Sequence, residues 1–240
     1  MHTILDFAEQ AVERLVADGC RLVVVACNTV SCVALRHLHA AVRGRQRGPA
    51  CSGVTIPGAE AAVAASGGGG RVGILATART VASQTYVTEI HKLDPTVRVS
   101  QRAAPVLVPI VEDGWADTDV ARLAVQRYLA DLPDIDTLLL GCTHYPLLLP
   151  VFRERVAAGV RVVDPAPYLA ERLVDWLGRH PGWDVAGPGP AGAVHGGPRR
   201  VPAARGAVPR GPLPAVHAVA EVGGRLADGA TVVPVGQIVR

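Results

Sequence analysis

The chain has 240 residues, 49% of them hydrophobic, enough apolar surface for one large or two small packed domains. Its formal net charge of +3 is small for that length, and the basic residues are scattered outside the tail, which argues against nucleic acid as a partner. No apolar run reaches membrane-spanning length and no charged-then-apolar leader opens the chain, so a soluble, cytoplasmic protein is expected.

Taken in order, Ile4, Phe7, Ala8, Ala11, Val12, Leu15 and Val16 recur with helical spacing and predict an amphipathic helix over residues 3–18, ended by Gly19. Leu22–Ala26 is an aliphatic run too brief for a helix and reads as a buried strand. Val30, Val33, Ala34, Leu38, Ala41 and Val42 trace a second helix, capped by Asn28 or Thr29. Cys51–Ile56 is a short strand by the same reading. Pro57-Gly58 then opens an alanine-rich helix that stops at Gly67–Gly70. That glycine run lacks the Lys-Ser/Thr of a phosphate-binding loop, so it reads as a turn.

Arg71–Ala76 is the next strand, Thr77 and Thr80 flank its exit, and residues 81–93 read as one helix. Val97–Arg102 alternates as a strand, Pro105–Glu112 is a helical turn, and Val120, Leu123, Ala124 and Leu129 mark a further helix. Thr137–Gly141 repeats the pattern of residues 22–26. Pro146 suits the first turn of the helix after it. A last strand at 161–163 and a last helix at 166–177 complete an alternation of strands and helices, which predicts a parallel α/β architecture. From Gly178 onward proline, glycine, alanine and arginine dominate, so residues 178–240 are expected to be a poorly ordered tail, with no clear pattern over 215–240.

The chemistry lies in the repeated stretch. Val25-Ala26-Cys27-Asn28-Thr29 and Leu140-Gly141-Cys142-Thr143-His144 each read as a strand, a cysteine and a helix start. Parallel strands present ligand sites at their carboxyl ends, so two thiols are expected to face one ligand. A helix N-terminus or hydrogen-bond donors can lower a thiol's pKa and make it a proton carrier near neutral pH. Asn28, Thr29 and Thr143 supply polar groups suited to an amino acid's carboxylate and ammonium, and they also suit helix capping. His144 could hold or supply a proton for Cys142. Glu112 has no claim of its own beyond a surface acid.

Other chemistries lack support. Five cysteines without a secretion signal point to free thiols rather than a disulfide framework. Cys20, Cys27 and Cys32 are spaced by seven and five, which fits no common zinc pattern, so no metal is expected. Lys92 is the sole lysine and reads as a surface charge, leaving one candidate for Schiff-base chemistry. No Gly-x-Ser-x-Gly elbow occurs.

The two cysteine motifs, with Pro57-Gly58-Ala59, Thr77-Ala78-Arg79-Thr80, Val108–Trp115 and Val163-Asp164-Pro165, resemble the glutamate racemases of the aspartate/glutamate racemase superfamily. The resemblance implies two pseudo-symmetric parallel-sheet α/β domains closing over glutamate, without a cofactor. It assigns Cys27 and Cys142 as an acid/base pair, His144 and Glu112 as aids to the second thiol, and Asn28, Thr29, Thr77, Thr80 and Thr143 as substrate binders. The implied product is D-glutamate for bacterial peptidoglycan. The expected organisation is an incomplete first domain at 1–57, with 164–177 packing back on it, and a second domain at 58–163.

Family members open with an Asp-Ser loop and carry a later Tyr-Gly turn. This sequence contains neither dipeptide. The expectation is therefore a start downstream of the true one, in preference to a decayed gene copy or a fragment with another role, and weak or absent racemisation. An aspartate racemase and an inactive binding or regulatory relative are the alternatives. A homodimer is compatible with the sequence, which does not fix the oligomeric state.

Overall fold

A computed structural model of the chain describes residues 4–17, 20–43, 50–181, 219–222 and 225–228. The first part comprises α1 (Ile4–Ala17), β1 (Leu22–Val25), α2 (Asn28–Arg43) and β2 (Ala50–Gly53). β1 and β2 pair in parallel, Leu22 opposite Ala50 and Val25 opposite Gly53. Ala8, Val12, Val23, Ala34 and Leu38 form the core they share with the two helices. β1 is only partly covered: Val23 is buried and Val24 is exposed, as expected of a short sheet with few neighbours.

A larger unit follows: α3 (Thr55–Ser66), β3 (Arg71–Ala76), α4 (Ala78–Ser83), α5 (Thr85–Leu93), β4 (Arg98–Ala103), α6 (Leu107–Glu112), α7 (Asp119–Ala130), β5 (Thr137–Gly141), α8 (Leu149–Arg155), β6 (Arg161–Val163) and α9 (Pro165–Arg179). Its four-stranded sheet has the order β4-β3-β5-β6, all parallel. The strand periodicity of two divides the core into two layers. Val72, Ile74, Ala76 and Leu139 join Ala59, Ala62, Tyr86 and Ile90 on one face, where α3 and α5 lie. Leu75, Leu138 and Leu140 join Leu107, Val125, Tyr145 and Phe152 on the other. This is the expected α/β class with parallel sheets.

The register brings the ends of β3 and β5 together. Ala76 pairs with Gly141, so Thr77 and Cys142 leave adjacent strand ends. A Cβ on Gly141 would stand 2.9 Å from Ala76 Cβ and 3.2 Å from Leu75 O, so only glycine fits without shifting the strand.

Several local expectations are corrected. α2 begins at Asn28, so Asn28 opens the helix rather than capping it; its side chain accepts a hydrogen bond from Tyr86. The strand expected over 51–56 is Ala50–Gly53, and α3 starts at Thr55 rather than at Pro57. The helix expected over 81–93 is two helices, broken where Gln84 adopts a left-handed φ of 56°. The helix after Cys142 begins as a 3-10 turn, Tyr145–Leu148. Val219–Val222 and Arg225–Asp228 (β7 and β8) pair antiparallel, where no element was expected. They flank Gly223-Gly224, a two-residue hairpin signal. The disorder expected of the rest of 182–240 lies outside the described residues.

α9 lies along α3, joined by an Arg172–Glu60 ion pair at 2.6 Å, and Asp164 caps it by accepting from Ala166 N at 2.9 Å. Among the described residues, no helix is long and apolar enough to cross a membrane.

Candidate active site

Cys142 directly follows β5 and Cys27 lies two residues beyond the end of β1, and the turns that follow them differ. Cys27 O accepts from Ser31 N at 2.9 Å, an α-helical bond, whereas Cys142 O accepts from Tyr145 N at 3.2 Å, a 3-10 bond. The tighter turn aims the backbone N–H groups of His144 and Tyr145 at the Cys142 sulfur, which favours its thiolate. Burial outweighs them: Cys142 is 6% exposed, and its pKa rises from 9.0 to about 11. The sequence expectation of a lowered value fails for this thiol because desolvation exceeds what one turn of donors returns. Negative charge on Cys27 and on Glu112 also opposes ionisation of Cys142, which puts the first thiol within electrostatic reach of the second.

His144 sits between Cys142 and Glu112. Its Nδ1 is 3.8 Å from Cys142 Sγ, and its Nε2 is 3.3 Å from Glu112 Oε1. A carboxylate can only accept, so the proton belongs on Nε2 and the Nδ1 lone pair faces the thiol. The imidazole can therefore take the thiol proton and become an imidazolium held by Glu112. Glu112 reaches this position from the end of α6, thirty-two residues ahead of His144 in sequence. No local sequence signal could have revealed the contact.

The other candidates form a second cluster. Thr29 Oγ1 lies 2.9 Å from Thr77 Oγ1 and 3.1 Å from Thr80 Oγ1, and Thr77 and Thr80 are 3.0 Å apart. Thr77 also caps α4 by accepting from Thr80 N. These hydroxyls tie the start of α2 to the exit of β3. Asn28, 3% exposed, accepts from the hydroxyl of Tyr86. Thr143 is exposed beside Cys142.

Cys32 and Cys51 belong to packing. Cys32 lies 3.4 Å from Thr55 Oγ1, and Cys51 packs against the cluster shared by α1, β1 and α2. Among the described residues, no three His, Cys, Asp or Glu side chains group as metal ligands. Lys92 is a surface charge paired with Glu89 at 2.9 Å, as expected.

The chain is similar in sequence and structure to known proteins. A glutamate racemase of Geobacter metallireducens is 38% identical over 177 residues, spanning 73% of this chain and 63% of that protein. One from Neisseria gonorrhoeae is 42% identical over 171 residues, spanning 70% of this chain and 61% of that protein. The chain thus spans less than two thirds of the length of these relatives. The crystal structure of a Bacillus anthracis glutamate racemase isoform superposes with a TM-score of 0.70 at 32% identity, covering 79% of this chain and 70% of that one. The Francisella tularensis glutamate racemase, solved in complex with D-glutamate, gives 0.65 at 25% identity, covering 73% of this chain and 64% of that one. Residues 5–173 match the family described as Asp/Glu/Hydantoin racemase, and the chain belongs to that family.

Proposed function

We propose that this chain carries the chemistry of a cofactor-independent glutamate racemase, interconverting L- and D-glutamate by two thiols acting on opposite faces of Cα. The observation that carries the reading is the Cys142–His144–Glu112 line, with Cys27 within its electrostatic reach. One thiolate removes the α-proton while the opposite thiol returns one to the other face, and the roles exchange with the hand of the substrate. Cys142, kept protonated by burial, is the donor when Cys27 is the base. In the other direction His144 takes its proton, and Glu112 stabilises the resulting imidazolium. The hydroxyls of Thr29, Thr77, Thr80 and Thr143 and the Asn28 amide bind the substrate's carboxylates and ammonium.

The reading places the protein in the cytoplasm, supplying D-glutamate for peptidoglycan. Turnover by the 240-residue chain is expected to be slow, because its sequence carries neither the Asp-Ser nor the Tyr-Gly dipeptide.

The test is deuterium incorporation at Cα in heavy water, followed by proton NMR over long incubations with glutamate and aspartate in parallel. Exchange into glutamate ahead of aspartate supports the proposal. Exchange into aspartate alone favours an aspartate racemase. Binding of glutamate without exchange favours an inactive binding module, a reading that the raised Cys142 value also fits.

A further inference from the structure

We propose that Tyr86 is a positioning residue: its hydroxyl fixes the Asn28 carboxamide so that the amide N–H groups face an anionic ligand. The ligand class rests on the glutamate reading above; the fixing of the amide does not.

Tyr86 stands on α5 and is fully buried, packed with Ala59, Ile74 and Ile90. A phenol hydroxyl at such depth needs an acceptor. That acceptor is Asn28 Oδ1, at the start of α2. Burial holds the phenol well above its ordinary pKa, so it remains a donor across the physiological range. Gly58 leaves room for this reach. A Cβ there would stand 3.2 Å from the Tyr86 hydroxyl and 3.0 Å from Pro165 Cβ, tight on both sides.

A carboxamide is planar, so engaging its oxygen directs its NH2 to the other side. Among the described residues, the buried side-chain polar atoms without a partner are Arg71 Nε and Gln101 Oε1. Asn28 Nδ2 is not one of them. The residue stands beside Cys27 and Thr29, whose hydroxyl joins those of Thr77 and Thr80. A flipped amide would present an oxygen to the ligand and repel a carboxylate.

Asn28 is the sole asparagine in the sequence. Selective 15N-asparagine labelling therefore gives one backbone signal and one side-chain NH2 pair. In Tyr86→Phe, which keeps the ring, the NH2 pair is expected to shift and broaden while the backbone signal and the melting temperature report a retained fold. D-Glutamate titration should then show roughly fivefold weaker binding, the size of one lost hydrogen bond. In an Asn28→Ala background, Tyr86→Phe should weaken binding no further. An unchanged NH2 pair, or additive losses in the double variant, would overturn the proposal. If the wild-type chain shows no response to D-glutamate, the glutamate reading fails, while the ligand-free NH2 signal still decides whether Tyr86 fixes the amide.

Discussion

Glu112 Oε1 and His144 Nε2 lie 3.3 Å apart, joining the end of α6 to the turn after β5. The contact fixes which ring nitrogen faces Cys142. Glu112→Gln keeps an acceptor for Nε2–H but removes the charge that stabilises an imidazolium. Cα exchange is expected to slow by about a hundredfold, with little change in KM. A change confined to KM would make Glu112 a binding residue instead.

Burial raises Cys32, Cys51 and Cys142 from 9.0 to about 11. The unfolded chain releases these protons at lower pH than the folded one, so the folded state binds more protons in between. Stability present below about pH 9 is therefore lost as pH rises toward about 11. The urea midpoint should fall across that window, and less steeply in Cys51→Ala. A midpoint independent of pH from 9 to 11 would mean that these thiols are not desolvated.

The same burial governs reactivity. The thiolate is the nucleophile, so Cys142 should react with iodoacetamide at pH 8 about a hundredfold more slowly than a thiol of an unfolded chain. Mass spectrometry of individual cysteines reads this directly. Rapid labelling of Cys142 would contradict the burial.

Gly141→Ala places a methyl group against Ala76 Cβ and the Leu75 carbonyl. Backbone cannot yield as a side-chain tip can. The variant is expected to lose about 1–3 kcal/mol of stability by urea denaturation, with a changed Cys142 alkylation rate. Neutrality on both counts would show that β3 and β5 separate more readily than their register implies.

Thr77 accepts from Thr80 N and meets two other hydroxyls. Thr77→Val should cost about 1 kcal/mol through the lost cap and weaken glutamate binding, whereas Thr77→Ser should restore both. If serine restores stability but not binding, the hydroxyl cluster does not contact the ligand.

Much of the fold was legible because its signals are local. Thr137–Gly141 is too short and apolar for anything but a buried strand, and its leucines alternate between the two core layers as a period of two requires. The break at Gln84 was not legible, since glutamine carries no preference for a left-handed φ. The β7–β8 pair has a local signal in the Gly-Gly spacing between its strands. At the site, Cys27 and Cys142 announced themselves by repetition. Glu112 is a tertiary contact that only the family resemblance brought forward. Tyr86, one helical turn from Ile90, reads as plain core; its partner becomes visible only when α2 and α5 are packed. The raised Cys142 pKa was not legible, because helix position is a local signal and desolvation is not.

The central claim is that two thiols flank one stereocentre. Its most direct measurement follows Cα deuterium exchange of L- and D-glutamate separately in Cys27→Ser and Cys142→Ser. Interconversion should be lost in both variants, with each exchanging at most one enantiomer, and the two variants retaining opposite hands. Interconversion surviving in either variant would contradict the claim, as would exchange of both hands by a chain with one of these thiols removed.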